Sequence, residues 1–97
     1  MTIEFLPAAA AEVEDAVDWY NAQQSGLGEE FRGEVSKAIG RISSLPQVWP
    51  IISRRSRRCL LRRFPSGVIF QVRDEMILVL AVMHLRRKPG YWHGRIP

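Results

Sequence analysis

The chain has 97 residues, 46% of them hydrophobic and 25% charged, with a formal net charge of +4 and one cysteine, Cys59. That apolar content excludes a disordered basic tail, the lone cysteine excludes a disulfide framework, and the longest apolar run, Ile77–Met83, is too short to span a bilayer. The charge is divided: residues 1–50 hold eight acidic and three basic residues, a net of −5, and residues 51–97 hold eleven basic and two acidic, a net of +9.

In chain order, Thr2–Leu6 reads as a short strand with Ile3 and Phe5 on one face. Pro7 then opens a helix, because the first turn offers its missing N–H no acceptor. Over Pro7–Gln24 the positions Ala9, Val13, Ala16, Val17 and Tyr20 follow the helical period, while Glu12, Glu14, Asp15 and Asp18 cover the other side. Ser25-Gly26 breaks this helix. A second follows from Leu27 to Leu45, with Leu27, Phe31, Val35, Ala38, Ile39, Ile42 and Leu45 at three- and four-residue spacings. Gly40 is its weak point and a candidate for close helix contact. The loop between the helices is very short, so they form an antiparallel hairpin.

Pro46 ends the second helix, and Gln47–Ser53 reads as irregular. Strand patterns follow around Cys59-Leu60-Leu61, at Val68–Arg73 after the turn signal Pro65-Ser66-Gly67, and at Met76–Met83 after an Asp74-Glu75 hairpin turn. Met76–Met83 is the most apolar of these and reads as the interior strand. The expected fold is α+β: a helical hairpin packed on a small twisted antiparallel sheet, in the order β-α-α-β-β-β, with the N-terminal strand pairing at one edge. One domain over residues 1–97 is expected. Met1–Phe5 shows no signal-peptide pattern, and the cysteine usage fits a reducing compartment, so a cytoplasmic location is expected, with no membrane association.

Two groups of residues bear on function. Arg54, Arg55, Arg57, Arg58, Arg62 and Arg63 place six arginines within ten residues. Twelve of the fourteen basic residues are arginine, whose planar fork suits phosphate and carboxylate. These residues read either as anion contacts or as charges that keep an edge strand from aggregating. The second group is the tail, with His84, Arg86, Arg87, Lys88, Tyr91, Trp92 and Arg95. Pro89-Gly90 can fold Tyr91 and Trp92 back. Aromatics beside arginines can stack bases, or Trp92 can plug the open end of a small core.

The sequence supplies no metal site: His84 and His93 lie nine apart with no thiol near them in sequence. No Gly-rich loop forms a phosphate cradle, and no cofactor is expected. The acidic residues read as a solvated helix face with no place for paired-carboxylate chemistry. Cys59 makes a weak nucleophile candidate, since an alternating strand can turn it inward.

The segments Phe5-Leu6-Pro7-Ala8-Ala9 with Glu12, Ala16-Val17-Asp18-Trp19-Tyr20, Gly28 with Phe31 and Glu34, and Ile42 through Leu45-Pro46 follow one another in a familiar series. Arg62-Arg63-Phe64-Pro65 leading to Ile69-Phe70, Val79–Val82 with His84, and Arg86-Arg87-Lys88-Pro89 with Tyr91-Trp92 and Arg95 continue it. Taken in order, they resemble the RelE/ParE superfamily of toxins from type II toxin–antitoxin systems, closest to the ParE-like, plasmid-stabilisation branch. The resemblance covers nearly the whole chain. It implies the fold described above and an acidic cognate antitoxin whose disordered segment wraps the toxin.

The resemblance also implies one of two activities. ParE-like members poison DNA gyrase and are not enzymes. RelE-like members are metal-independent endoribonucleases that cut messenger RNA on the ribosome. On the nuclease alternative the implied catalytic set is Arg62 or Arg63, His84, Arg86 and Tyr91. On either alternative, Arg54, Arg55, Arg57, Arg58, Arg87, Lys88, Trp92 and Arg95 are expected to bind partner or nucleic acid. The lysines of RelE-like enzymes are matched here only by arginines, which neutralise phosphate but, with a pKa above about 12, are poor general bases. The gyrase branch is therefore the expected one, with a non-toxic basic interaction domain as the remaining alternative.

Overall fold

The computed structural model describes residues 1–97 and begins with β1 (Thr2–Phe5), which Leu6 and Pro7 turn directly into α1 (Pro7–Gln23). Gly26, at φ +87°, supplies the left-handed residue that separates α1 from α2 (Leu27–Ser44). The two helices touch at Gly28. A side-chain carbon there would lie 2.3 Å from the Val17 carbonyl oxygen, and the Gly28 N–H donates to Asn21 Oδ1 at 2.8 Å. The close contact expected at Gly40 is absent: that position faces open space.

The remaining elements are β2 (Ile51–Ser53), β3 (Ser56–Leu60), β4 (Ser66–Arg73), β5 (Met76–His84) and a 3-10 turn at His93–Arg95. They form a five-stranded sheet in the order β1-β5-β4-β3-β2. Two features depart from the sequence expectation. The meander has four strands rather than three, because Ile51–Ser53, read as irregular, pairs antiparallel with β3. The sheet is also not wholly antiparallel, since β1 runs parallel to β5, from Thr2 opposite Met76 to Phe5 opposite Val79.

The β2–β3 hairpin carries no ordinary sequence signal, because its two-residue turn is Arg54-Arg55. Both residues have positive φ, 50° and 60°, the signs that a type I′ turn requires and that Asn-Gly usually supplies. Each such non-glycine residue costs about 1–3 kcal/mol, so the surroundings must hold the turn in place.

β5 lies between β1 and β4, and Ile77 to Met83 are all buried, as expected of an interior strand. Its pairing with β4 slips at one point: Ile69 faces Ala81, but Phe70 faces Val79, leaving Leu80 as the extra residue of a bulge. The bulge resets the alternation of side chains. Ile77, Val79 and Val82 point to the helices, where they join Val13 and Val17 of α1 and Phe31, Val35 and Ile42 of α2. Leu78, Leu80, Ala81 and Met83 point to the opposite face, where they bury Trp92 with Ile69. The sheet thus has two apolar faces. Hydrophobic burial, worth roughly 1.5–3 kcal/mol per fully buried large side chain, binds the hairpin to one and the C-terminal segment to the other.

No helix is long and apolar enough to cross a membrane.

Candidate functional site

β1 ends at Phe5, but β5 continues to His84, so the outer edge of β5 has no strand partner beyond Val79. Its polar backbone there is satisfied by side chains. Glu12, one turn into α1, accepts the Val82 N–H on Oε1 at 3.0 Å. Arg95 donates to the Leu80 carbonyl at 3.1 Å and to Glu12 Oε1 at 2.8 Å. The Tyr91 hydroxyl donates to Glu12 Oε2 at 2.5 Å, and the Arg87 guanidinium stacks over the Tyr91 ring, 4.0 Å from its centroid. Burial, reinforced by the hydrogen bond to the Glu12 carboxylate, drives the Tyr91 phenol well above its ordinary range. Arg95 is likewise held charged by its bond to Glu12.

By sequence pattern Glu12 belongs to a solvated acidic face; in the structure it anchors the C-terminal segment. Glu34 departs from that reading too, being 3% exposed and paired with Lys37 at 3.0 Å. One signal for Glu12 was available. The second half of the chain has eleven basic residues and only two acidic ones, so a tail arginine that packs inward is most readily matched by a carboxylate from the first half, seven of whose eight lie on the helices.

Beside this cluster, α1 and the ends of β4 and β5 enclose an open groove of about 530 Å³. Ala16, Trp19, Tyr20, Pro65 and Val82 supply its apolar wall, while His84 and Arg87 stand on it with Glu12 and Asp15. Trp19 is 59% exposed, unusual for an indole, and edge-on to Tyr20 at 5.1 Å.

The six-arginine run does not converge. Arg57 is spent on structure, donating to the Gln47 and Trp49 carbonyls at 2.9 and 2.7 Å and to Gln47 Oε1 at 3.0 Å. Arg63 reaches back to Glu30 of α2 at 2.5 Å and over the Phe64 ring. Arg58 and Arg62 join Arg41 around a small cleft floored by Trp49, Pro50 and Leu60. Arg54 and Arg55 sit apart at the hairpin tip, near Arg73 and His93. In the tail, His84, Arg86 and Lys88 are exposed, and the Arg86 N–H donates to His84 Nδ1 at 3.1 Å. Trp92 is 1% exposed in the core of the second face, so it is unavailable for stacking a base. Cys59 is fully buried, and desolvation raises its thiol despite the opposing effect of Arg41, which leaves it unreactive. The structure offers no group of three or more His, Cys, Asp or Glu side chains suited to a metal ion.

This arrangement has known counterparts. Residues 3–89 match the family model described as the ParE toxin of the type II toxin–antitoxin system parDE. Among solved structures, the chain is similar to one from a chromosomal ParDE toxin–antitoxin system of P. aeruginosa, at 22% identity and a TM-score of 0.66, over 87% of this chain and 95% of that one. It is also similar to one from the toxin–antitoxin complex RelBE2 of Mycobacterium tuberculosis, at 19% identity and a TM-score of 0.59, over 86% and 88% of the two chains. No curated protein matches the sequence. The protein belongs to the RelE/ParE superfamily of toxin–antitoxin toxins. The family model it matches is the ParE one, and the two structures show that ParE-type and RelE-type toxins share its fold.

Proposed function

We propose that the protein is the toxin of a type II toxin–antitoxin system, acting in the cytoplasm on DNA gyrase and neutralised by a small acidic antitoxin. One observation carries the choice of target: Tyr91, the tyrosine of the implied nuclease set, has its hydroxyl bound to Glu12 and its phenol driven upward. A hydroxyl tied in this way is ill suited to exchanging a proton with RNA near neutral pH. The arginines of the nuclease set are dispersed as well, with Arg63 on Glu30 and Arg62 in a separate cleft. The sheet face away from the helices is filled with Leu78, Leu80, Met83 and Trp92 rather than with polar groups. What remains exposed is a cationic surface suited to binding a protein–DNA complex, with Arg86, Arg87 and Lys88 at its centre.

For the antitoxin, the groove under Trp19 supplies an apolar anchor point, and Arg58 and Arg62, which pair with no carboxylate in the molecule, supply partners for its carboxylates. The reading is tested by a supercoiling assay with purified gyrase beside primer extension on translated messenger RNA. Loss of supercoiling with intact messages is expected. Codon-registered cuts with unaffected gyrase would replace this reading with the ribosome-dependent nuclease. Growth unimpaired by expression of the chain alone would replace it with a non-toxic interaction domain.

A further inference from the structure

We propose that the cleft between the Arg54-Arg55 turn, the end of β4 and the 3-10 turn is a binding site for a single phosphate group, built by Arg54, Arg55, Arg73 and His93. The proposal does not depend on which target the toxin attacks.

The cleft holds about 550 Å³, and its lining brings together three arginines and one histidine with no acidic side chain. None of the three arginines pairs with a carboxylate side chain anywhere in the molecule. Arg73 also donates a long contact to the Pro97 carbonyl oxygen at 3.4 Å.

A buried amide organises these cations. Gln71, 6% exposed, accepts from Arg73 Nε and Nη2 on its Oε1, at 2.9 and 2.7 Å. Its Nε2 donates to the Arg54 carbonyl at 2.9 Å and to Ser56 Oγ at 3.1 Å. One side chain therefore aims the Arg73 fork and locks the turn that carries Arg54 and Arg55 in their strained, positive-φ conformation. Each of the four hydrogen bonds engages the amide with its correct polarity. A turn of two consecutive arginines is a costly way to secure solubility, whereas a fixed turn that presents both guanidiniums to one cleft has a use.

The second observation is His93. Its Nε2 is buried with no hydrogen-bond partner, an uncommon state for a buried polar atom. The ring is held by close packing over Gly90, where a side-chain carbon would fall 2.6 Å from His93 Cε1, and by edge contact with Trp92 at 4.4 Å. A phosphate in the cleft satisfies that nitrogen only if the ring swings out from Gly90, so the His93 imidazole is a reporter of binding. Three guanidiniums carry far more N–H donors than the two oxygens of one carboxylate accept, and suit the tetrahedral oxygens of phosphate. The phosphate could be a backbone phosphodiester of DNA or a free or terminal phosphate.

The test is a titration of the isotope-labelled protein with inorganic phosphate at constant ionic strength, with acetate as control. The resonances followed are the His93 imidazole and the Arg73 Nε–H. Saturable shifts at both, in the millimolar range (~1–10 mM) expected of one small anion, support the site. Acetate should produce no such shifts. The Arg54→Gln/Arg55→Gln double variant, and separately Arg73→Gln, should weaken phosphate at least about tenfold while leaving circular dichroism unchanged; Tm should hold in the double variant and fall in Arg73→Gln, which frees the buried Gln71 Oε1. Should one variant fail to fold, the other decides.

A duplex lacking terminal phosphates and a nucleoside monophosphate separate the two sources. A duplex that shifts the same resonances, with a salt dependence lowered by about two counterions in the double variant, identifies backbone phosphate. Competition by the monophosphate alone identifies a terminal phosphate. Absence of saturable shifts, equal shifts with acetate, or unchanged affinity in both folded variants would overturn the proposal.

Discussion

Glu12 and Arg95, 83 residues apart, together complete the edge of β5: the carboxylate accepts the Val82 N–H, and the guanidinium donates to the Leu80 carbonyl while pairing with Glu12 at 2.8 Å. The pair does the work of the strand residues that would follow Phe5 if β1 were longer. Its side chains are 14% and 23% exposed, so the charges are largely withdrawn from water.

Glu12→Ala should therefore cost about 2–3 kcal/mol. This is below the ~3–5 of a fully buried pair, because Arg95 keeps some water contact. The substitution frees the Val82 N–H and the Tyr91 hydroxyl along with the arginine. Urea denaturation should show the midpoint falling. Glu12→Gln should recover part of the loss, since its carbonyl oxygen can still accept from Val82.

Tyr91→Phe should keep the fold, with a loss of about 1–2 kcal/mol for one hydrogen bond to a charged group that stays partly solvated. On the proposed gyrase mechanism it retains toxicity, whereas Arg86→Ala, at an exposed position, reduces it. Growth assays of both variants, with folding verified by circular dichroism, check this. Growth rescued by Tyr91→Phe alone would speak for RNA cleavage.

Alkaline pH should destabilise the protein. The Tyr91 phenol, raised by burial and by the Glu12 carboxylate, titrates higher in the folded state than its unfolded value of about 10. Between the two values the folded chain binds more protons, so its stability falls as pH rises. The Cys59 thiol, raised by desolvation, acts in the same sense from about pH 9. Below that window both groups are protonated in both states and their contribution is intact. Urea midpoints near pH 8, 9.5 and 10.5 should decline, more shallowly in Tyr91→Phe over the upper interval.

Trp19→Ala should leave stability almost unchanged, because the indole is 59% exposed, yet weaken antitoxin binding. An aromatic anchor at the centre of an interface is worth roughly 2 kcal/mol or more, about a thirtyfold change in Kd. Calorimetric titration with the antitoxin measures it. Undiminished affinity would move the antitoxin's anchor away from this groove.

The helices were legible because Val13, Val17, Phe31, Val35 and Ile42 repeat at the helical period and all face the sheet. The inward packing of Trp92 was legible too, because a large indole after Pro-Gly has a small core within reach. β2 was not, since Ile51 and Ile52 are both exposed and the turn after them carries arginines instead of Asn-Gly. The bulge at Leu80 lies inside an unbroken apolar run that looks the same in either phase. For the site, arginine density marked the right half of the chain but could not distribute its members. Arg57 fastening Gln47 and Trp49, Arg63 on Glu30 and Arg73 held by Gln71 are choices made by tertiary proximity. Glu12 was hidden among Ala and acidic neighbours because its partners are 70 to 83 residues away.

The parallel pairing of β1 with β5 also governs how the molecule is made. Thr2–Phe5 leave a ribosome well before their partner, Met76–Val79, and Arg95 follows later still. The helical hairpin, whose contacts are local, can form early. The sheet edge can close only after Met76–Val79 are available, so the nascent polypeptide carries an unfinished apolar surface until then. On the proposed function, an antitoxin already present in the cell would meet that surface before the toxin has matured, which would place neutralisation ahead of activity in time.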